Sequence, residues 1–318
     1  MNQLLRIKVL SFVLIILIGC AVFVINDRTK QSSFSGKVTS IEFGDTSLIN
    51  KITIVHPNAE TVNLSKDEYG QWKIDNSFKA RKQLINFLLY GLEKLEVKRP
   101  VSENQHREIL QKLKTKGHKV TIDNEKESVS FSILTNEADV NSSWFATEDG
   151  VPVIVHVPGV QGDLSQLVGL GRQDWRTREL FTSTALSLKS IKIDYPQSPS
   201  EGFEIISSNN SFLLKGRQDT DTSKTNKYVM AFRYINFDKY LDSEKIKAVS
   251  SSNLEPYAII SLTDIDEMRN KVLEIYLPAS DGKLYGKMIP GNEWVSLNPK
   301  IFRLVLAKKS YFEKSTKQ

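Results

Sequence analysis

Cysteine is nearly absent from this 318-residue chain: Cys20 is the only one. A single thiol excludes an intramolecular disulfide framework and any cysteine-rich zinc or iron–sulfur centre. Charge of one sign is scarce too. The 43 lysines and arginines stand against 37 aspartates and glutamates, a net +6. So small a surplus makes no electrostatic case for a nucleic-acid partner, and none is expected. The four histidines, His56, His106, His118 and His156, never fall at the i, i+2 or i, i+4 spacing that a zinc site on one element uses. No serine stands in a G-x-S-x-G elbow, so the usual nucleophile signature is missing. The glycines of Gly159-Val160-Gln161-Gly162 and Gly169-Leu170-Gly171 have no following Lys-Ser/Thr pair and read as loops. Alternating acids at Asp219 and Asp221, and at Asp264 and Asp266, suggest calcium loops. Their sixth and twelfth places hold Lys224 and Met230, or Arg269 and Ile275, where Gly and Glu are needed. No metal, cofactor or catalytic residue is therefore expected.

What is present begins at the N-terminus. Val9 to Ile25 is a 17-residue run without a charge, flanked by Arg6 and Lys8 before it and Asp27, Arg28 and Lys30 after it. At 1.5 Å per residue it is about 26 Å long, near the minimum for crossing a bilayer core. Three readings fit this run. An uncleaved signal anchor leaves everything after about Lys30 outside. A lipoprotein signal would use Leu17-Ile18-Gly19-Cys20, with Cys20 as the lipidation site. An ordinary cleaved signal lacks a small-x-small site here. The anchor is preferred because Ala21 to Ile25 continues the apolar run where a lipidated protein starts a polar tether. The expected location is the bacterial cytoplasmic (inner) membrane, single-pass, with the bulk of the chain extracytoplasmic.

Beyond a small polar linker the apolar period is two, then three to four, then two again. Ile52-Thr53-Ile54-Val55, Thr61 to Leu64 and Gln71 to Ile74 read as strands. Ala80, Leu84, Ile85, Leu88, Leu92 and Leu95 mark an amphipathic helix that Pro100 stops, and Glu103 to Lys116 marks a second. Strands follow near 120–122, 129–134, 143–147 and 151–157. The order then recurs: Leu188 to Ile193, Phe203 to Ile206 and Ser211 to Leu214 as strands, Lys227 to Asn236 as helix, then 272–277, 283–288 and 293–297. Ile52 and Ile191 lie 139 residues apart, Trp72 and Phe212 140, and Ile154 and Trp294 140. This spacing predicts an α+β protein with mainly antiparallel sheets, built as two tandem related halves. The expected layout is an anchor at 1–30, a linker at 31–45, and halves at 46–168 and 169–318.

The densest soluble segment is Arg172-Gln173-Asp174-Trp175-Arg176-Thr177-Arg178-Glu179-Leu180-Phe181. Guanidinium forks and aromatic faces suit an anionic partner. The competing expectation is that Trp175 and Phe181 fill the seam between halves while Asp174, Arg176 and Arg178 pair locally. Lys79, Arg81, Lys82, Lys94, Lys98, Arg99, Lys112, Lys114 and Lys116 read as a solvated helical face or a contact to anionic polymer.

Gly70 to Ile74, Ala80-Arg81, Leu84 to Leu95, Val155-His156-Val157-Pro158-Gly159 and Asp174-Trp175-Arg176 through Leu180-Phe181 resemble the bacterial domain of unknown function 4340 family, in its Bacteroidetes-type members. The resemblance runs from about Ile41 to Leu277. It implies a membrane-anchored envelope protein of unknown activity, often encoded beside ABC-transporter components. The expected function is a non-catalytic accessory or binding protein of an envelope complex. Two alternatives stay open: a lipoprotein binding an envelope glycan or lipid, and an envelope hydrolase with an unrecognised site.

Overall fold

The computed structural model describes residues 43, 45–124, 127–208, 211–217, 220–250, 255–277 and 283–313. The apolar run 9–25, Cys20, the linker apart from Phe43 and Asp45, and Asp219 lie outside the described residues. Among the described residues no helix is long and apolar enough to cross a membrane. In chain order the first elements are β1 (Ile49–Val55), β2 (Thr61–Lys66), β3 (Trp72–Ile74), β4 (Phe78–Lys79), α1 (Lys82–Glu93), β5 (Glu96–Pro100) and α2 (His106–Lys116). There follow β6 (His118–Asn124), β7 (Ser128–Thr135), β8 (Ser143–Thr147), β9 (Val153–His156), α3 (Leu164–Val168), α4 (Arg172–Trp175) and β10 (Glu179–Phe181). Next come β11 (Leu188–Asp194), β12 (Phe203–Ser208), β13 (Ser211–Leu214), α5 (Thr222–Ala231), β14 (Ile235–Asn236), β15 (Lys239–Tyr240) and α6 (Ser243–Ser250). The last are β16 (Ala258–Asp264), β17 (Lys271–Tyr276), β18 (Leu284–Ile289), β19 (Glu293–Leu297) and α7 (Pro299–Val305). The protein is α+β, and the strand pairings are antiparallel.

Contacts divide the chain into two units. One holds the residues up to Ala59 together with Leu88–Gly169; the other holds Glu60–Phe87 and Leu170–Gln318. In the first, strands run in the order β1-β6-β7-β8-β9-β5. Alternation explains the pairing: Ile49, Ile52 and Ile54 of β1 are buried, and Ile52 and Ile54 sit opposite Ile122 and Val120. Strand β8 is buried on both faces, as a strand covered by helices must be. Helix α2 presents Ile109 and Leu113, one turn apart, to a cluster with Val101, Trp144, Ala146 and Ile154. Asp163 caps α3 by accepting from the amides of Ser165 (2.8 Å) and Gln166 (3.3 Å) and from the Ser143 hydroxyl (2.9 Å).

In the second unit the main sheet runs β13-β12-β11-β16-β17-β18-β19-β15. Its six strands from β11 to β15 repeat the order of the first unit's six. The register repeats as well: Ile191 and Ile193 sit opposite Leu262 and Ile260. Both sheets carry a bulge at the start of the same strand, between Ile49 and Lys51 in β1 and between Leu188 and Ser190 in β11. A bulge re-aims a strand and is kept within families, so its recurrence is a sharper signal than strand order alone. Strand β16 alternates cleanly, burying Ala258, Ile260, Leu262 and Asp264. The core beneath is aromatic: Phe203, Tyr228, Phe232 and Phe312 meet edge to face or tilted at 4.8–5.5 Å.

Two sequence expectations need correction. The helix expected over Lys227 to Asn236 runs instead from Thr222 to Ala231, because Asp221 caps it by accepting from the amides of Ser223 and Lys224. Ile235 then enters β14. The helix expected to reach Leu95 and stop at Pro100 ends at Glu93, and Glu96–Pro100 forms an edge strand, where proline is tolerated.

Truncating Ile260, which is fully buried, to alanine should cost about 2–5 kcal/mol in urea unfolding. Leu186→Ala, at a residue 94% exposed, should stay within about 0.5 kcal/mol. Equal effects at the two positions would contradict the assignment of the core.

Candidate functional site

Residues 172–181 lie in the second unit, and most of the segment is structural. Helix α4 is a single turn that buries Trp175, whose indole donates to the Leu170 carbonyl at 3.1 Å. The chain then turns extended at Arg176. Residues 79–81 run antiparallel beside it: the Arg81 amide donates to the Trp175 carbonyl (2.7 Å) and the Thr177 amide to the Lys79 carbonyl (2.9 Å). Phe181 is buried and packs on Phe232 at 5.3 Å.

Arg176 is the centre of this arrangement. Its side chain is only 6% exposed, yet it carries a charge. Glu293 answers it with both oxygens, Oε1 at 2.7 Å from one terminal nitrogen and Oε2 at 3.0 Å from the other. Gln173 Oε1 accepts a further bond at 3.0 Å. The guanidinium plane is held between the rings of Phe78 (3.8 Å) and Tyr240 (4.1 Å). Such a planar cation satisfies a carboxylate along its edge and aromatic faces on both sides, which lysine cannot do. The Tyr240 hydroxyl donates to the Thr177 carbonyl at 3.1 Å. Burial, opposed by the Arg176 charge, pushes that phenol up to about 12.

The two other arginines diverge. Arg172 pairs with Asp75 at 3.0 Å, on a turn whose Asp75 and Asn76 have positive φ. Arg178 pairs with Asp174, four residues before it, at 3.0 Å. Both Arg178 and Asp174 face open space. One concavity of about 450 Å³ is lined by Arg81, Gln83, Arg178, Tyr234, Asn236 and Asp238, among others. A second, of about 630 Å³, is lined by Asp174, Arg178, Asp238, Lys239, Asp242 and Lys245, among others. They share Arg178 and Asp238. Partial burial and the neighbouring Arg178 charge lower the Arg81 pKa from its ordinary value, and Asp174 opposes them.

Of the basic residues flagged in the first helical region, four are paired: Lys79 with Glu179 (2.7 Å), Lys94 with Glu93, Lys98 with Asp139 and Lys112 with Glu108. In the first unit the sheet brings together two histidines that sequence spacing keeps apart. Val55 sits opposite Lys119, so His56 falls beside His118, and their Nδ1 atoms are 3.0 Å apart. One ring must donate and the other accept, which requires opposite tautomers. The His56 Nε2 is buried without a partner. The signal was readable only through strand register. Among the described residues no three His, Cys, Asp or Glu side chains are grouped to hold a metal.

A family model described as a domain of unknown function, DUF4340, matches residues 72–258, more than half of the chain. The chain belongs to the DUF4340 family. The DUF4340 match takes in Phe78, Arg81, Arg176, Arg178 and Tyr240, whereas Glu293 lies beyond it. No curated protein and no solved structure matches the chain.

Two outcomes follow for this DUF4340 chain. Arg176→Lys should lose about 2–4 kcal/mol in denaturant unfolding, because one ammonium replaces a fork inside a desolvated site. A double-mutant cycle with Glu293→Gln should show coupling above about 1 kcal/mol; additive losses would refute the pairing. Burial and the nearby His56 depress the His118 pKa below its ordinary value. The unfolded chain then binds that proton more readily, so stability held at neutral pH falls on acidification through the unfolded value of about 6.5. Thermal midpoints measured from pH 7.5 to 5.5 should drop less steeply in His118→Asn than in the parent chain. Identical slopes would remove His118 from the acid response.

Proposed function

We propose that the protein is a non-catalytic binding or accessory component of a bacterial envelope complex. In this reading residues 9–25 hold it in the cytoplasmic membrane and the remainder is extracytoplasmic. The binding half of the proposal is carried by one observation: the second unit has two neighbouring concavities sharing Arg178 and Asp238. Their linings present guanidinium, ammonium, carboxylate, amide and phenol groups, which hold a ligand through charge and hydrogen bonds. The anchoring half is supported by the 17-residue uncharged run between basic flanks. Membership of the DUF4340 family is compatible with both and names no activity.

We also infer that the two halves of the chain are tandem copies of one plan. The shared six-strand order, the repeated β1 and β11 bulge and the near-constant 139–140 residue spacing support this together. The arrangement would suit a scaffold in which one copy kept a binding face and the other diverged.

A second reading has its own support in Leu17-Ile18-Gly19-Cys20, the form a lipidating enzyme recognises. Reporters fused after Lys30 and at Gln318 should both be active outside the cytoplasm; cytoplasmic activity at both positions would end the envelope reading. Labelling with a radioactive fatty acid separates the two attachments. A retained anchor predicts no incorporation in either the parent chain or Cys20→Ala. Incorporation lost in Cys20→Ala would replace the anchor with a lipid.

A further inference from the structure

We propose that Arg81 and Arg178 form an oxyanion site in the smaller concavity, for a carboxylate or phosphate carried on a hydroxylated, sugar-sized ligand. This deepens the binding reading above and rests on it. Like charges are gathered here: both guanidinium groups line the smaller concavity, and burial first and the Arg178 charge second lower the Arg81 pKa, with Asp174 opposing them. Arg81 is half-buried, and its guanidinium makes no hydrogen bond or ion pair among the described residues. Arg178 uses one terminal nitrogen on Asp174 and keeps its buried Nε without a partner. An oxyanion between the two would answer both, as bidentate guanidinium sites do. Arg172 and Arg176 of the same segment are paired with carboxylates as Arg178 is, and Arg176 too keeps a buried Nε without a partner; of these four arginines, Arg81 is the one with no ion pair among the described residues.

The rest of the lining fixes the ligand's class. Glu179 is neutralised by Lys79 at 2.7 Å. Asp238 is exposed and lines both concavities, an acceptor suited to ligand hydroxyls. Gln83 and Asn236 add exposed amides, and Tyr234, 73% exposed, adds a ring with a polar tip. A volume of about 450 Å³ suits a monosaccharide with its substituent.

The test is calorimetric titration of the full chain in detergent with glucuronate, glucose 6-phosphate and glucose, at low and at high salt. Saturable binding is expected for one or both acidic sugars, weakened by salt, and absent for glucose. The tighter of the two identifies the oxyanion. Arg81→Gln should weaken it at least tenfold, while Lys215→Gln, a remote basic change, should not. Because Arg81 has no hydrogen-bonded partner, and burial together with Arg178 outweighs the attraction of Asp174, Arg81→Gln should unfold at the same temperature as the parent or a higher one. The proposal is overturned if neither acidic sugar saturates, if glucose binds as tightly, if Arg81→Gln binds unchanged, or if that variant unfolds earlier. The topology measurement reads a different property, so failure here removes the site and leaves the placement in the envelope to be judged on its own.

Discussion

A buried guanidinium is the constraint on which the second unit depends. Desolvating Arg176 would be prohibitive alone, since an unpaired interior charge costs several kcal/mol. The fold answers from four places in sequence: Phe78, Gln173, Tyr240 and Glu293. Three of these answers fix an element. Phe78 brings β4 and the strand-like segment 79–81 against 175–177, Tyr240 sets β15, and Glu293 sets the start of β19. One side chain therefore ties the hairpin region 60–87 to the body of its unit. The arrangement gains specificity from planar geometry more than it gains stability, because the desolvation of two charges offsets much of their attraction.

This division of labour among arginines shapes the candidate site. Four lie within or beside one short segment, and three of them, Arg172, Arg176 and Arg178, pair with carboxylates within the unit. Arg178 is half-used and Arg81 unused, and both line the same concavity. Rigid support beneath a charged cleft is what a binding site needs, because ordering losses on binding then fall on the ligand. The segment thus joins two tasks within a few residues: Trp175 and Arg176 hold the backbone in place, and Arg178 is displayed by it at the candidate site.

Much of the fold was legible because it rests on local period. Strands such as Ser211–Leu214 and Glu293–Leu297 match their apolar alternation to the residue, and the 139–140 residue spacing anticipated a repeated strand order. What period could not show was register and capping. Asp221 moved a helix start by several residues through two backbone hydrogen bonds. The pairing of β1 with β6 placed His56 on His118, 62 residues away, with no spacing rule to announce it. The segment 172–181 was conspicuous by composition, yet which arginine was buried and which displayed depended on carboxylates as distant as Asp75 and Glu293. Arg81 stood among basic residues read as a solvated face, and only the tertiary fold sets it beside Arg178.

The central claim is that Arg176 organises the segment that displays Arg178. Hydrogen–deuterium exchange on Arg176→Met, against the parent chain, tests it most directly. The account predicts that the amides of Arg81 and Thr177, which donate to the Trp175 and Lys79 carbonyls, lose protection first. Protection in the β16–β17 ladder should persist. Retained protection at Arg81 and Thr177, or a loss spread evenly over the whole unit, would contradict it.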